Sequence, residues 1–302
     1  MGMQIEVANW FMNLQDKICL GLEKAEAGSL FKEDKWVRQG GGGGITRILS
    51  NGRIIEKGGV NFSAIHGEAP EFLRSQLQNR VANKSTSFFA TGVSIVIHPL
   101  NPAVPIIHMN VRYFEMDSIS WFGGGIDLTP HYINEEDAIF FHNGLKSMCK
   151  KHNSNYYTDF KNEADNYFFI KHRNETRGIG GIFFDQLEAT SEITIQDRFN
   201  FVKDTSEFFL PVYLEIINRN KDKSYSEREI KWQRLRRGRY VEFNLIYDRG
   251  TKFGLETNGR TESILMSLPP LAEWEYDFQP DKGSREEMTL GLLKKGIDWA
   301  QK

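Results

Sequence analysis

The stretch that most constrains the fold is Phe89–Glu115, in which two apolar segments flank a loop that contains three prolines. Proline lacks the backbone N–H that a strand ladder uses, so Pro99, Pro102 and Pro105 belong between strands rather than within them. Side chains of a strand point alternately to its two faces. The stretch therefore predicts a β-hairpin with one polar face and one apolar face.

The polar face of this hairpin gathers side chains that a purely structural sheet has little reason to collect. Its expected members are Ser94, Val96 and His98 on the first strand, and His108, Asn110, Arg112 and Phe114 on the second. We expect an antiparallel register that places His98 opposite His108. In that register Val96 lies opposite Asn110, and Ser94 opposite Arg112. Two imidazoles, a hydroxyl, an amide and a guanidinium on one surface indicate a binding or catalytic site.

The composition excludes several classes of protein. The chain has 302 residues, 40% of them hydrophobic, which is enough to bury a large core. A net charge of −2 creates no overall field, so we expect neither nucleic acid nor an anionic membrane as a partner. The two cysteines, Cys19 and Cys149, cannot make a disulfide framework, and no apolar run approaches the roughly 20 residues of a membrane span. We expect a cytoplasmic protein with residues 1–302 in one domain.

Hydrophobic periodicity and capping residues predict helices and strands without a βαβ alternation. The expected helices are 4–27, 135–152, 156–171, one from Thr194 that contains Pro211, one from Ser226 to Gly238, and one that begins near Ser284. The expected strands beyond the hairpin are 45–50 and 53–63 around an Asn51-Gly52 turn, then Arg239–Asp248 and Ser263–Leu268, with His66 in a loop after residue 63. The predicted fold class is α+β, a single domain with a mainly antiparallel sheet.

Five consecutive glycines, Gly40–Gly44, admit more than one interpretation. A phosphate-binding loop would continue with Gly-Lys-Ser or Gly-Lys-Thr, and this run does not. We favour either a flexible loop or a lid that covers a substrate site, and the sequence does not decide between these two.

Four histidines, His98, His108, His142 and His172, are candidates for acid–base chemistry or metal binding. The i, i+4 spacing of metalloprotease helices and Cys-x-x-Cys pairs are both absent from the sequence. Histidine titrates near neutrality, so acid–base chemistry is the more economical interpretation and a metal site is the alternative.

Three arginines, Arg112, Arg249 and Arg260, lie in polar, glycine-containing contexts. A guanidinium in such a place can hold a carboxylate through two parallel hydrogen bonds. The alternative is ion pairing within the chain, to carboxylates such as Asp127, Asp248 or Glu256.

Seven blocks of the sequence resemble the oxygen-dependent coproporphyrinogen III oxidases, in order and over nearly the whole chain. They are Gly40–Gly44, Gly59–Ser63, Gly92–Pro99, His108–Arg112, Trp121–Pro130, Lys171–Gly181 and Tyr247–Leu255. The resemblance implies a homodimer built on a large, flat, mainly antiparallel sheet that is covered by helices on both faces. It also implies that the region from about Tyr240 to Glu275 contributes to the dimer interface.

The same resemblance implies a reaction. Coproporphyrinogen III would be oxidatively decarboxylated at the propionates of rings A and B, which gives protoporphyrinogen IX, consumes O2 and releases CO2. It implies no organic cofactor and leaves open whether a divalent metal cation takes part. Because porphyrinogen pyrroles are electron-rich enough to reduce O2, the protein would orient the substrate, clamp its carboxylates and transfer protons.

The matching motifs also imply individual site residues. Substrate contacts are implied for Ser94, Asn110, Val111, Arg112, Asn258, Gly259 and Arg260, where Asn258 departs from the glycine that is usual in that turn. His108 is the implied proton donor, and the implied metal ligands are His98, His108, His142 and His172. We add Asp127, Asp248 and Arg249, and expect Asp248 or Asp127 to engage the pyrrole N–H groups.

Two other functions use the same residues. A metal-dependent hydrolase or dioxygenase would employ the four histidines. A non-catalytic tetrapyrrole carrier would bind its ligand and consume no oxygen.

Overall fold

A long antiparallel sheet organises the chain in the computed structural model, which describes residues 2–26, 28–69, 71–77, 80, 87–256 and 259–302. The strands are β1 (Lys32–Val37), β2 (Gly42–Ser50), β3 (Ile55–Glu68), β4 (Ser87–Pro99), β5 (Ile106–Met116), β6 (Ile119–Thr129), β7 (Phe169–Ile170), β8 (Glu175–Thr176) and β9 (Gly180–Leu187). The helices are α1 (Met3–Glu26), α2 (Glu71–Leu77), α3 (Glu135–Lys150), α4 (Tyr156–Tyr167), α5 (Ile195–Asn220), α6 (Glu227–Ile246), α7 (Arg249–Glu256), α8 (Thr261–Leu265) and α9 (Arg285–Leu292).

Seven of these strands form one sheet in the order β1-β2-β3-β4-β5-β6-β9, and every neighbouring pair is antiparallel. The short strands β7 and β8 pair with each other. This arrangement confirms the predicted α+β class with an antiparallel sheet in a single domain.

The hairpin of β4 and β5 is confirmed, but its expected register is wrong by two residues. Ser94 lies opposite Asn110, and Val96 opposite His108, so the two histidines do not face each other. The turn is set by Asn101, whose side chain accepts from the Ala103 N–H and whose carbonyl accepts from the N–H of residue 104. A shift of two residues leaves every side chain on its expected face but changes its neighbours.

The Asn51-Gly52 turn is also confirmed. Asn51 has a φ of 58°, and its N–H donates to the carbonyl of residue 56 across the turn between β2 and β3. The expectation that His66 follows the strand is wrong, since β3 continues to residue 68.

The glycine run is neither a loop nor a lid throughout its length. Gly42, Gly43 and Gly44 begin β2; all three pair with β3, and Gly43 and Gly44 also pair with β1. A Cβ on Gly44 would lie 2.4 Å from the ring of Trp36, so glycine is required where this indole lies across the strand.

The expected strand Arg239–Asp248 is wrong, because α6 continues through Gly238 to residue 246. The buried side chains Tyr240, Phe243 and Asn244 follow the helical spacing i, i+3, i+4. Gly238 does not end the helix. A Cβ there would lie 2.6 Å from the carbonyl oxygen of Glu273, so glycine allows that segment to approach.

The expected strand Ser263–Leu268 is wrong as well. Residues 261–265 form the short helix α8, and the chain then turns, with the N–H of residue 268 donating to the carbonyl of residue 265. Several other helix predictions are confirmed by their caps. Asn134 caps α3, Thr194 and Asp197 form a capping box on α5, and Ser226 and Glu229 form one on α6.

Helices cover both faces of the sheet. On one face α1 and α5 close the main apolar core, in which Phe122 of β6 stacks on Phe199 at 5.5 Å. On the other face α6 places Tyr240 against Val96 and Ile106. This second face also carries the polar side chains of the β4–β5 hairpin.

One carboxylate, Glu242, ties α6 to two loops. It accepts from His172 and from Arg173, whose guanidinium makes two bonds at 2.9 and 2.7 Å. It also accepts from the indole of Trp274 at 2.9 Å and from Arg239 at 3.2 Å. Burial alone would raise the pKa of Glu242, but these donors outweigh it and lower the pKa to about 2.

Replacing Glu242 with Gln should lower the free energy of unfolding by about 3 kcal/mol at pH 7, because the folded pKa lies below its ordinary value of 4.5. The carboxylate's contribution is complete above pH 4.5 and is lost as the pH falls toward 2, so the difference from the parent protein should shrink over that interval. Urea unfolding at several pH values measures it. Glu227→Gln, at an exposed position of the same helix, should cost less than about 0.5 kcal/mol. A penalty for Glu242→Gln that does not change with pH would contradict this assignment.

Candidate functional site

A row of mostly small side chains crosses one face of the sheet from edge to edge. In sheet order from β1 to β9, its paired residues are Asp34, Thr46, Asn61, Ser94, Asn110, Gly125 and Phe183. Adjacent strands lie about 4.8 Å apart, so the part from β3 to β9 spans about 19 Å. The predicted substrate residues Ser94 and Asn110 face each other at its centre and are half-buried.

In the next row, only Trp36 at the β1 edge and Arg112 have large side chains. From β1 to β6 its paired residues are Trp36, Gly44, Ser63, Gly92, Arg112 and Gly123. A Cβ on Gly123 would lie 2.9 Å from Nε of Arg112 and from a carboxylate oxygen of Asp185. Glycine therefore lets the Arg112 guanidinium lie across β6 toward β9. We call the surface formed by Asn61, Ser94, Asn110, Gly92 and Gly123 the sheet floor.

On the same face of the sheet, the row on the other side of Ser94 and Asn110 contains His108, which pairs across the strands with Asp127. Nδ1 of His108 donates to Asp127 at 2.7 Å, and Arg177 donates to both oxygens of Asp127 at 2.7 Å. Burial alone would raise the pKa of Asp127, but the Arg177 guanidinium and His108 outweigh it and hold the pKa below its usual value. Asp127 thus fixes the ring of His108, whose Nε2 has no protein partner among the described residues and is free for a ligand.

Arg177 is held as firmly as Asp127. Its Cζ lies 4.3 Å from the ring centre of Phe168 and 4.7 Å from those of Tyr240 and Phe243. Nη1 donates to the side-chain oxygen of Asn244 at 3.1 Å. A guanidinium that is 2% exposed needs such partners, because an unpaired buried charge would cost several kcal/mol.

Two arginines meet one aspartate at the β9 edge of the sheet floor. Nη2 of Arg112 donates to Oδ1 of Asp185 at 2.8 Å, and Nη1 of Arg112 donates to Asn110 at 3.1 Å. Nη1 of Arg249 lies 3.8 Å from Oδ2 of the same aspartate. All three charged side chains are partly exposed, so these guanidinium groups are accessible to an anionic ligand.

Asp248 lies at the same edge. Its Oδ1 accepts from the hydroxyl of Tyr167 at 2.9 Å, and its Oδ2 accepts from the Thr251 N–H at 2.7 Å, at the start of α7. Tyr167 stacks at 4.1 Å on Phe183, the β9 residue of the row that contains Ser94 and Asn110. The predicted catalytic aspartate therefore borders the sheet floor, although it follows a helix rather than a strand.

At the β1–β3 end, the row of Ser94 and Asn110 is covered by the segment around α8. The Ser263 hydroxyl lies 2.7 Å from that of Thr46, and its carbonyl accepts from Asn61 at 2.6 Å. Arg260, directly before α8, forms an ion pair with Asp34 of β1.

Two other predicted residues, Asn258 and Gly259, directly precede Arg260 in the sequence. The Gly259 N–H donates to the carbonyl of residue 254 at 2.8 Å, which anchors the start of this segment. Asn258 lies outside the described residues, so its predicted role stays a prediction.

Some functional residues were missed, and one predicted residue is placed differently. Sequence analysis did not single out Arg177 or Asp185, although Arg177 lies within one of the matching blocks. For Arg177, the available signal was a basic residue in a glycine-rich segment between strands. Val111 is fully buried on the apolar face of β5, so it can contribute to the sheet floor only through its main chain.

The family comparison agrees with this geometry. A family model for coproporphyrinogen III oxidase matches residues 6–299. The chain belongs to the coproporphyrinogen III oxidase family. An oxygen-dependent coproporphyrinogen-III oxidase of Prochlorococcus marinus (strain MIT 9301) is 46% identical over 313 aligned residues, which cover 96% of this chain and 91% of the relative. One from Drosophila melanogaster is 50% identical over 299 residues, which cover 95% of this chain and 76% of the relative.

The four histidines implied as metal ligands by the resemblance to coproporphyrinogen III oxidases occupy separate environments. His98 donates to the carbonyl of residue 267 at 2.8 Å, and burial holds its pKa well below the ordinary value. His142 lies 3.0 Å from the Tyr157 hydroxyl and from a carbonyl oxygen, and burial lowers its pKa to about 3. His172 is bound to Glu242, and His108 to Asp127.

These contacts do not fit a shared metal site. Within the described parts of the chain, no group of three or more His, Cys, Asp or Glu side chains is placed to hold an ion. We therefore derive no catalytic step through a metal.

Replacing Arg177 with Met should lower the free energy of unfolding by about 3–5 kcal/mol, because Asp127 would keep a buried and uncompensated charge. Asp127→Asn should cost a similar amount for the converse reason. The double variant should cost clearly less than the sum of the two, since it leaves neither charge alone. Urea unfolding of the four proteins measures this coupling, and additive penalties would contradict it.

Proposed function

We propose that this chain catalyses the oxygen-dependent oxidative decarboxylation of coproporphyrinogen III to protoporphyrinogen IX. The observation that supports it most strongly is the sheet floor, a wide surface poor in side chains with arginines at both ends. Two relatives of the chain are named oxygen-dependent coproporphyrinogen-III oxidase, after this activity. A flat molecule with several carboxylates suits such a surface, because its ring system lies over glycine and small polar groups while its anionic arms reach the arginines.

The protein needs to supply little beyond positioning of the substrate and proton transfer. For each propionate, a hydrogen leaves the carbon next to the pyrrole with two electrons. The bond to the carboxylate breaks, CO2 leaves, and the electron pair of that bond forms the vinyl double bond. Dioxygen accepts the two electrons together with protons. The contribution of the chain is to hold the propionate in place, limit access of water and move protons.

Specific residues take these roles. Arg112 and Arg249 bind a propionate at the β9 edge, and Arg260 binds another at the far end. Nε2 of His108 exchanges the proton, because Nδ1 is committed to Asp127. Asp248 accepts from the pyrrole N–H groups. It is better suited than Asp127, which is only 1% exposed, because Asp248 is only partly buried.

The proposal includes features of the whole protein. We propose that residues 1–302 act as one domain in a reducing, cytoplasmic environment, which suits the free and buried Cys19 and Cys149. In the described part of the chain, no helix is long and apolar enough to cross a bilayer.

We further propose a homodimer whose interface includes the region from about Tyr240 to Glu275. Large apolar side chains are exposed there, among them Leu245, Leu271 and Trp274. Sedimentation velocity at micromolar concentration is the measurement that tests it, and a monomer would contradict it.

Mixing the protein with coproporphyrinogen III without oxygen and then admitting oxygen tests the activity. We expect no product before oxygen is admitted, and protoporphyrinogen IX with CO2 afterwards. The product is oxidised to the porphyrin and measured by its fluorescence. Binding without oxygen consumption would instead support a carrier. Loss of activity on removal of a stoichiometric metal would favour the metal-dependent alternative.

Replacing Arg112 with Ala should reduce kcat/KM by at least about 100-fold, because a charge-assisted bond to the reacting propionate is lost. The fold should persist, since the side chain is partly exposed and its hydrogen bonds go to the partly exposed side chains of Asp185 and Asn110. Arg53→Ala, at an exposed arginine in the β2–β3 turn, serves as the control and should leave the kinetics unchanged. Unaltered kinetics in the Arg112 variant would overturn this role.

Replacing His108 with Gln should reduce kcat by about 100- to 10,000-fold with a much smaller change in KM, as expected for a group that moves a proton rather than holding the substrate. Steady-state oxygen consumption at varied substrate separates the two constants. A rise in KM at unchanged kcat would assign His108 to binding instead.

A further inference from the structure

A fourth charged group at the β9 edge, Asp248, is bonded to Tyr167 and the Thr251 N–H and pairs with neither arginine. The other three, Arg112, Arg249 and Asp185, form a cluster of two cations and one anion. Their formal charges sum to +1. The two arginines are not equally satisfied. Arg112 makes hydrogen bonds to Asp185 and Asn110, whereas the guanidinium of Arg249 makes none to the described residues and lies 3.8 Å from Asp185.

Arg249 is nevertheless held in position. Its Cζ lies 4.9 Å from the ring centre of Tyr167 and 5.4 Å from that of Phe183, while its side chain is 63% exposed. A guanidinium that lies over aromatic rings and makes no hydrogen bond to the described residues is prepared to bind a carboxylate.

The backbone places Asp185 specifically at this point. Gly124 pairs with Phe184 and Phe122 with Leu187, so two residues of β9 oppose the single residue Gly123 of β6. This is a β-bulge, a device that redirects a side chain. Within it Gln186 has a φ of 48°, and its N–H donates to Oδ1 of Asp185 at 2.9 Å. The carboxylate is thus fixed over Gly123, within reach of both arginines.

We propose that Asp185 is a specificity-determining residue that sets the charge of this subsite to match one substrate carboxylate. The inference rests on the proposed function, in which this edge binds a propionate. Without Asp185 the edge would carry two uncompensated cations and would hold any polyanion too tightly. With it, one carboxylate neutralises the edge.

The chemistry of the reaction gives this charge matching a purpose. Decarboxylation converts an anionic propionate into a neutral vinyl group, so the ligand loses the charge that the edge recognises. The Asp185 carboxylate then again has both arginines to itself, which favours release. A doubly positive edge would strengthen ground-state binding of substrate and of the remaining propionates alike, which lowers KM without raising kcat.

The other end of the sheet floor shows the same arrangement. Arg260, which is also assigned to a propionate, forms an ion pair with Asp34, and both side chains are partly exposed. Each proposed carboxylate clamp therefore has an aspartate of the chain as its resident counter-ion.

The test compares variants that change the charge of the edge stepwise. Asp185→Asn keeps an oxygen for Arg112 and raises the charge to +2. Arg249→Gln lowers it to 0, and the double variant returns it to +1. Asp204→Asn removes a carboxylate from α5 on the opposite face and is the control. Coproporphyrin III, a stable tetracarboxylate, is the probe for fluorescence titration, and KM and kcat are measured with coproporphyrinogen III.

We expect Asp185→Asn to bind coproporphyrin III about tenfold more tightly than the parent, with a smaller gain at high salt. KM should fall with it, while kcat should not rise. Arg249→Gln should bind more weakly than the parent, and the double variant should return toward it. Asp204→Asn should match the parent protein.

Unchanged or weaker binding by Asp185→Asn, with an unchanged melting temperature, would overturn the proposal and leave Asp185 a support for Arg112. A double variant that binds as weakly as Arg249→Gln would also overturn it, because affinity would not then follow charge. If the parent protein shows no turnover, the proposed function fails, and the titration still decides the charge matching.

Discussion

The register of the antiparallel sheet is the constraint on which the candidate site depends. Hydrogen bonds between strands decide which residues lie side by side, and alternation decides which face they share. In this chain the two rules together bring Ser94 and Asn110 into one row and Gly92 and Gly123 into the next. A slip of one residue would bury these polar groups in the apolar core, and a slip of two would separate them from one another.

Charged groups around the sheet floor are of two kinds, which differ in exposure. Asp127 and Arg177 are almost completely buried, and their mutual bonds fix the orientation of His108. Arg112 and Arg249 are partly exposed and share an aspartate. The first kind is rigid because an unpaired buried charge is too costly, whereas the second can exchange partners because water screens its charges. The groups that hold the His108 ring in place are thus separate from the groups that are accessible to an anionic ligand.

The errors of sequence analysis share a physical cause. In Arg239–Asp248 polar and apolar residues alternate well enough to suggest a strand, and Gly238 resembles a helix end. Packing decides otherwise. Tyr240 and Phe243 enclose Arg177, which lies more than 60 positions earlier in the sequence, and Gly238 admits a segment that lies 35 residues later. The prediction of a loop or lid at Gly40–Gly44 failed for the same reason, because the Trp36 ring that requires Gly44 comes from a neighbouring strand.

Much of the site was nevertheless predictable from sequence. The polar face of the β4–β5 hairpin, the helix caps and the clustering of chemistry near His108, Asn110 and Arg112 are local properties, determined by alternation and by residue type. The family likewise follows from the order of the motifs. The tertiary structure alone decided the register, the continuation of α6 and the partner of each charge, including Arg177 for Asp127 and Asp185 for Arg112. These partners lie 50 and 73 residues apart, so only the folded backbone brings them together.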